Sequence, residues 1–494
     1  MKNKLGKLEI IIFTGGAVVM VLELIGSRLL APYLGTSIFV WSALIGIILG
    51  AMSLGYYLGG KFSQKNPKLE FLTQILFIAS LSIILITILN KPVLNFSMSL
   101  GVKAGSIIST LALFTLPSII LGMVSPYAAR LKIESVESSG GVVGNLYALS
   151  TVGSIFGTFL AGFYLIPTFG SIQILFGLSL ILVLMSLLSG KKLLKIILII
   201  VIISLFIANQ KTENGYVYET DSTYNHIRVV DRLDPKSKKE VRVLYLATEA
   251  HSVIFKNSND LFSPYHQLYL LDNLFKPEIK KTLTLGAGAY VAPINFLDRY
   301  PEAEMTVVEI DPEVTQVAKN YFKLKDNNRL KIIHQGGRIF LNNNQEKFDV
   351  IYGDAFASYF SIPFQLTTRQ AVEKIYNSLN DNGILVLNII SSIEGEQSKF
   401  FQAEYLTLKE FFPQIYVFPA YYYGQNDAKR HQNIVVFASK NPKKLTKTDL
   451  LKNANQKQTE LINQLWEKEI PIGQDIKILT DNFAPVDHYI SKLL

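Results

Sequence analysis

Seven apolar stretches crowd the first 208 residues, near residues 8–30, 38–60, 71–89, 105–127, 141–166, 171–189 and 193–208. Most reach the roughly 20 residues a bilayer-spanning helix needs. A multi-pass α-helical membrane domain of about seven spans is therefore expected over residues 1–210. The last stretch is short, and Lys195 near its start reads as snorkelling to the interface. A secretory signal would pair a shorter apolar region with a small-residue cleavage site and a polar chain; six further apolar runs follow the first, so no cleavage is expected. With 494 residues, 49% of them hydrophobic, each half is long enough for its own fold.

The polar half opens with alternating, β-rich segments at Tyr216–Glu219, His226–Arg232 and Val241–Ala247, with a turn at Asp234-Pro-Lys-Ser. These predict a small β domain over 211–275. Next comes Lys281-Thr-Leu-Thr-Leu-Gly286-Ala-Gly288-Ala-Tyr290, an apolar strand ending in a glycine turn, and then a helical run through Asp298. A second strand, Met305–Glu309, ends in an acid 23 positions after Gly286. Glycines let a backbone approach a nucleoside, and a carboxylate at the end of the second strand accepts hydrogen bonds from both ribose hydroxyls. A lone GxG pair often only ends a strand; strand, glycines, helix, strand and acid in register predict a nucleoside site. Further strands follow at Leu330–His334 and Phe348–Tyr352, the latter leading to Gly353-Asp354. Ligands of open parallel sheets sit beyond the carboxyl ends of strands, which places Asp354 for chemistry ahead of the alternative, a turn or helix-capping aspartate. An α/β Rossmann-like nucleotide fold is expected over 276–494.

Charge sets orientation and raises a conflict. The amino terminus and the loops at 61–70, 128–140 and 190–195 carry eleven cations, against two, Lys91 and Lys103, in the alternating loops. Positive-inside reasoning puts the amino terminus in the cytoplasm, and seven spans then carry the polar half outside. A cytosolic nucleotide favours the opposite side, and one span more or fewer reverses the answer. A cell-membrane location is expected with the side of the polar half open. The net charge of +9 reads as these flanking lysines plus a modestly basic polar half, and no dense Lys/Arg stripe points to nucleic acid. Zero cysteines exclude disulfides and thiolate chemistry, and six scattered histidines without HExxH spacing predict no metal. His334, at a strand end, reads as structural.

Within the apolar half, Leu30-Ala-Pro32-Tyr-Leu-Gly35-Thr36 echoes Leu165-Ile-Pro167-Thr-Phe-Gly170-Ser171, as a parallel repeat would. Glu23 and Arg28 lie in the first span, where a charge needs a partner, a wet cavity or the interface. Gly46, Gly50, Gly55, Gly59, Gly153, Gly157 and Gly162 are spaced for close helix packing.

Several motifs resemble the spermidine synthases in their order: Tyr224-Asn225-His-Ile, Tyr265-His266, Val308-Glu309-Ile310-Asp311-Pro312, Asp349-Val-Ile-Tyr-Gly-Asp354 and Leu479-Thr-Asp481-Asn-Phe-Ala-Pro485-Val. Membrane-fused spermidine synthase-like proteins match best, because Glu23-x4-Arg28-Leu-Leu-Ala-Pro-Tyr-Leu-Gly-Thr, Leu121-Gly-Met-Val-Ser-Pro126 and Tyr147-Ala-Leu-Ser-Thr-Val-Gly-Ser154 resemble their apolar half. The resemblance implies aminopropyl transfer from decarboxylated S-adenosylmethionine to an amine, with release of methylthioadenosine. It implies Asp354 as the catalytic carboxylate, Glu309 on the ribose, Ile310 over the adenine, and Gly286 and Gly288 beside the nucleoside. Gly337 and Asn225 join these donor contacts. Tyr224, Asn225, Tyr265 and His266 would border the amine-bearing tail, with Glu249 and His251 on the substrate side. The expected partners are a nucleoside, an amine and the lipid bilayer, with a homodimer left open and no nucleic acid.

Departures from the family pattern matter as much. Its glycine-loop aspartate is Ala289 here, its second aspartate after the catalytic one is Ala357, and the acid after the Tyr-His pair is Gln267. Gly336 replaces an aspartate before Gly337-Arg338, Asn225 replaces a glutamine, and Glu249 with His251-Ser252 occupies a loop that usually supplies Asp and Gln. With fewer carboxylates to pair each ammonium, putrescine is a doubtful acceptor. Three functions remain: an aminopropyltransferase, an enzyme that cleaves S-adenosylmethionine to methylthioadenosine without an amine, or a non-enzymatic transporter or sensor of polyamine or nucleoside. The segment 441–470 reads as a solvated helix, and the Asp481 motif as one edge of the pocket.

Overall fold

The computed structural model describes residues 2–64, 67–209, 215–355, 362–421 and 427–490. It divides into two compact units, Met1–Asn214 with Thr220–Thr223, and Gly215–Glu219 with Tyr224–Leu494.

The first unit is helical. Five described helices are long and apolar enough to cross a bilayer: Gly6–Leu34, Ile38–Phe62, Leu69–Met98, Gly101–Lys132 and Val136–Thr168. The sixth and seventh stretches form the shorter apolar helices Ser171–Ser186 and Leu193–Ile207. At 1.5 Å per residue, a 16-residue helix spans only about 24 Å, less than the roughly 30 Å hydrocarbon layer. Hydropathy registers an apolar run but not where turns, such as that at Gly190, stop the helix.

Small residues set the helix packing. Gly153 and Gly157 lie against the backbone of Phe13 and Ala17, and Gly55 and Gly59 against Ile119 and Met123, so closely that a Cβ would collide with main-chain atoms. Gly46, Gly50 and Gly162 face open space, so only part of the glycine series serves contact. The echoed motifs also differ locally: Gly35 takes φ +75°, whereas Gly170 sits at φ −64° as an ordinary helix cap. Arg28 donates to the carbonyl oxygens of Ser222 and Thr223.

A four-stranded sheet follows in sequential order, β1 (Tyr218–Asp221), β2 (His226–Leu233), β3 (Glu240–Leu246) and β4 (Glu249–Phe255), of which β2 to β4 lie in the second unit. β2, β3 and β4 pair antiparallel, and Asp234 accepts from the Ser237 N–H in the turn before β3. β4 is an addition to the expected strands: Glu249, His251 and Ser252 lie on a strand rather than in a loop, because Glu249-Ala-His-Ser lacks the apolar alternation that marks one.

A seven-stranded sheet follows: β5 (Lys281–Leu285), β6 (Glu304–Glu309), β7 (Leu330–His334), β8 (Phe348–Gly353), β9 (Leu379–Ser391), β10 (Gln414–Pro419) and β11 (Gln432–Ser439). Its spatial order is β10-β11-β9-β8-β5-β6-β7. β5 through β9 run parallel, and β11 pairs antiparallel with both β9 and β10. The central strands read as nearly unbroken apolar runs because both faces are covered. Leu283, Leu285 and Ile351 belong to one buried cluster; Met305, Val307 and Val350 belong to the other. This is the mixed sheet of a Rossmann-like methyltransferase fold. Strand order reverses between β5 and β8, so the loops leaving these two strands flank the crevice where such sheets bind ligands.

The segment 441–470 is not one solvated helix. Lys447–Lys452 and Gln456–Ile462 are two short helices, and Leu450, Leu461 and Ile462 are buried in the second core cluster.

Candidate functional site

At the switch point, the Asp354 N–H donates to the Leu285 carbonyl at 2.9 Å, tying the end of β8 to the start of the glycine turn. Gly286 (φ +81°) and Gly288 (φ +49°) adopt the left-handed region that side chains disfavour. Across this turn the Ala289 N–H donates to Ser252 Oγ of β4 at 3.0 Å. Three strands thus converge on one point.

Glu309 ends β6 with 7% exposure. Its Oε2 accepts from the Ala287 N–H and its Oε1 from the Asp311 N–H, both at 3.0 Å. Burial pushes its carboxyl above the ordinary range, and these two N–H groups oppose the shift. Ile310 next to it is 43% exposed, and its side chain borders Gly336. Gly337 starts the helix Gly337–Asn343 after β7 and lies beside Leu366 and Leu285. Arg338 in that helix pairs with Asp481 at 2.7 Å, which anchors the carboxy-terminal motif to this edge of the sheet.

A cavity of about 550 Å³ lies beside the glycine turn. It gathers Gly288, Asp354, Glu249, His251, Tyr265 and His266 of the expected site residues. Asp354 Oδ1 accepts from Asn388 Nδ2 at 2.9 Å, and its Oδ2 lies 3.7 Å from His266 Nε2. Tyr265 and His266 pack ring to ring, with centroids 4.0 Å apart. Burial first, then the charge of Asp354, pushes the Tyr269 phenol well up. Burial also raises the Glu249 carboxyl.

The remaining candidates lie outside the cavity lining. Tyr224 is 48% exposed, and Asn225 donates to Asp311 Oδ2 at 3.2 Å. Gly286, Glu309, Ile310 and Gly337 form the neighbouring edge, which meets the cavity at Ala287.

Two of the three positions read as lost acids also lie elsewhere. Ala289 is fully buried in an apolar cluster with Val229 and Leu244, and Gln267 turns to the Leu261 carbonyl. Ala357 falls outside the described residues. Asn388 and Asn433 line the cavity without having been anticipated; the visible signal was a single amide, Asn388, interrupting the apolar run of β9. His334 Nε2 contacts Thr315 Oγ1 at 3.0 Å, on a strand end that does not line the cavity.

Sheet order and the glycine turn after β5 define an α/β domain of the Rossmann-like, methyltransferase-like fold class. Residues 271–444 match the spermine/spermidine synthase domain model, so this part of the chain is spermidine synthase-like and resembles aminopropyltransferases. It is 26% identical over 289 residues to the polyamine aminopropyltransferase of Vibrio vulnificus, covering 56% of this chain and 91% of that one. A probable polyamine aminopropyl transferase of Bifidobacterium longum is 27% identical over 186 residues, covering 38% and 40%. The crystal structure of a probable spermidine synthase from Corynebacterium glutamicum superposes with TM-score 0.44 at 18% identity, over 56% of this chain and 99% of that one.

Proposed function

We propose that the protein is a membrane-bound aminopropyltransferase that uses decarboxylated S-adenosylmethionine, with its apolar helices in the bilayer and its catalytic carboxylate at Asp354. The division into 1–210, 211–275 and 276–494 belongs to this reading. So do the roles of Glu309, Ile310, Gly286, Gly288, Gly337 and Asn225 toward the nucleoside, and of Tyr224, Tyr265, His266, Glu249 and His251 toward the amine and its tail.

One observation carries it. Asp354 opens into a cavity shared with Gly288 and two aromatic-faced residues, Tyr265 and His266. An amine whose pKa lies near 10 arrives protonated at neutral pH. Asp354 holds that ammonium and takes its proton as nitrogen attacks the methylene carbon next to the sulfonium. The C–N bond forms, the C–S bond breaks, and its electron pair returns to sulfur, leaving methylthioadenosine. Aromatic faces beside the carboxylate attract both cations. Glu249, whose burial makes an incoming ammonium a welcome partner, lines the same cavity, which supports a role toward a distal amine.

A second reading, amine-independent cleavage of S-adenosylmethionine, is favoured by how few carboxylates line the cavity. Among described residues they are Asp234, Glu249 and Asp354, and Asp234 engages the Ser237 N–H.

Mass-spectrometric detection of methylthioadenosine separates the readings. The purified protein is given either form of the donor, with and without putrescine or spermidine. Release that needs the decarboxylated donor and an amine supports transfer; release without amine supports cleavage; no release from either donor excludes both.

A further inference from the structure

β9 is apolar and buried from Ile384 to Ile389 except at Asn388, itself 3% exposed. A primary amide in such a strand costs free energy unless both its ends are hydrogen-bonded. Both are. Asn388 Nδ2 donates to Asp354 Oδ1 at 2.9 Å, and Asn388 Oδ1 accepts from Asn433 Nδ2 at 2.9 Å. Asn433 stands on β11 diagonally across the ladder, where Val435 is the direct partner of Asn388.

The polarity of this chain is fixed by its end. An ionised carboxylate can only accept, so Asn388 must turn its amino group to Asp354 and its carbonyl to Asn433, which must then donate. We infer that Asn388, backed by Asn433, is a positioning residue that reserves Asp354 Oδ1 and leaves Oδ2, 3.7 Å from His266 Nε2, as the oxygen that receives the proton of the attacking amine. This inference rests on the assignment of Asp354 proposed above. Two strands would then fix the carboxylate before any substrate arrives, and proton transfer is steep in such placement. Because Asn388 acts through Asp354, its loss should slow turnover without weakening binding.

The test is steady-state methylthioadenosine release by the full chain in detergent, with substrate affinities measured alongside. Asn388→Leu, similar in size but unable to donate, should lower kcat roughly tenfold to a hundredfold, part of what a positioned general base supplies. KM for donor and acceptor should stay within about twofold, the mark of an interaction that matters only in the transition state. Asn433→Leu should give a smaller fall in kcat of the same kind. If Asn388→Leu does not fold, Asn388→Asp, isosteric but unable to donate when ionised, and Asn433→Leu carry the same expectation. Unchanged kcat, or a raised acceptor KM with kcat preserved, would overturn the inference and make Asn388 structural or an acceptor contact. Absence of release from the wild type would instead remove the enzymatic reading, and the positioning role with it.

Discussion

A side chain at Gly286 would bring its Cβ to within 2.6 Å of the Asp354 carbonyl oxygen, so the turns that end β5 and β8 meet backbone to backbone. The glycine proposed to approach the nucleoside and the carboxylate proposed for the chemistry are therefore mechanically linked.

Gly286→Ala should accordingly damage both functions. It combines a left-handed backbone with a main-chain clash, together costing about 2 kcal/mol or more. Thermal unfolding should shift down by several degrees and nucleoside affinity should fall. An alanine variant with wild-type melting and affinity would show that the two turns can separate at no cost.

Asp354→Asn keeps the shape but cannot take a proton. Turnover should be lost while methylthioadenosine binding, followed by calorimetry, stays near wild type. Equal activity of the two proteins would remove Asp354 from the mechanism.

Glu309 shares its oxygens between the Ala287 and Asp311 N–H groups. Glu309→Ala should weaken nucleoside binding roughly tenfold or more, the scale of a charge-assisted hydrogen bond. Unchanged affinity would displace the ribose from this strand end.

Glu404 is 1% exposed, its Oε2 has no hydrogen-bond partner among the described residues, and burial raises its carboxyl well above 4.5. A carboxyl that binds its proton more tightly when folded stabilises the fold at low pH. That contribution is full below the unfolded value of 4.5 and is lost as pH rises through the folded one. Glu404→Gln should therefore raise the melting temperature at pH 8 and much less at pH 5. A gain that is equal at both pH values would contradict the burial argument.

Gly153→Leu should disrupt the helical unit, since its Cβ meets the Phe13 main chain, whereas Gly46→Ala faces open space and should leave melting in detergent unchanged. Equal effects would show that helix packing does not depend on these contacts.

Most of the sheet was legible because its central strands are covered on both faces, and a run such as Leu283–Leu285 before two glycines has few other solutions. β4 was not, since its polar side chains line a cavity rather than alternate with a core. Ala289 misled for a related reason. Spacing places a residue on a turn but not on a side of it, and this one faces an apolar cluster. Hydropathy located all seven apolar helices, but the ends of the sixth and seventh, which make them shorter than the other five, were not visible in it.

The strand that delivers Asp354 is held two residues earlier, where the Tyr352 hydroxyl donates to Asp272 at 2.6 Å. Asp272 also takes both amino groups of Arg299, at 2.9 and 2.7 Å. The proposed catalytic carboxylate thus hangs from a strand held by a buried hydrogen-bonded network, whereas Glu249 and His251 stand on a separate four-stranded sheet. On the proposed assignment, in evolution or in the laboratory, a new acceptor would be acquired by rewriting β4, with Asp354 and its supporting strand passed on intact.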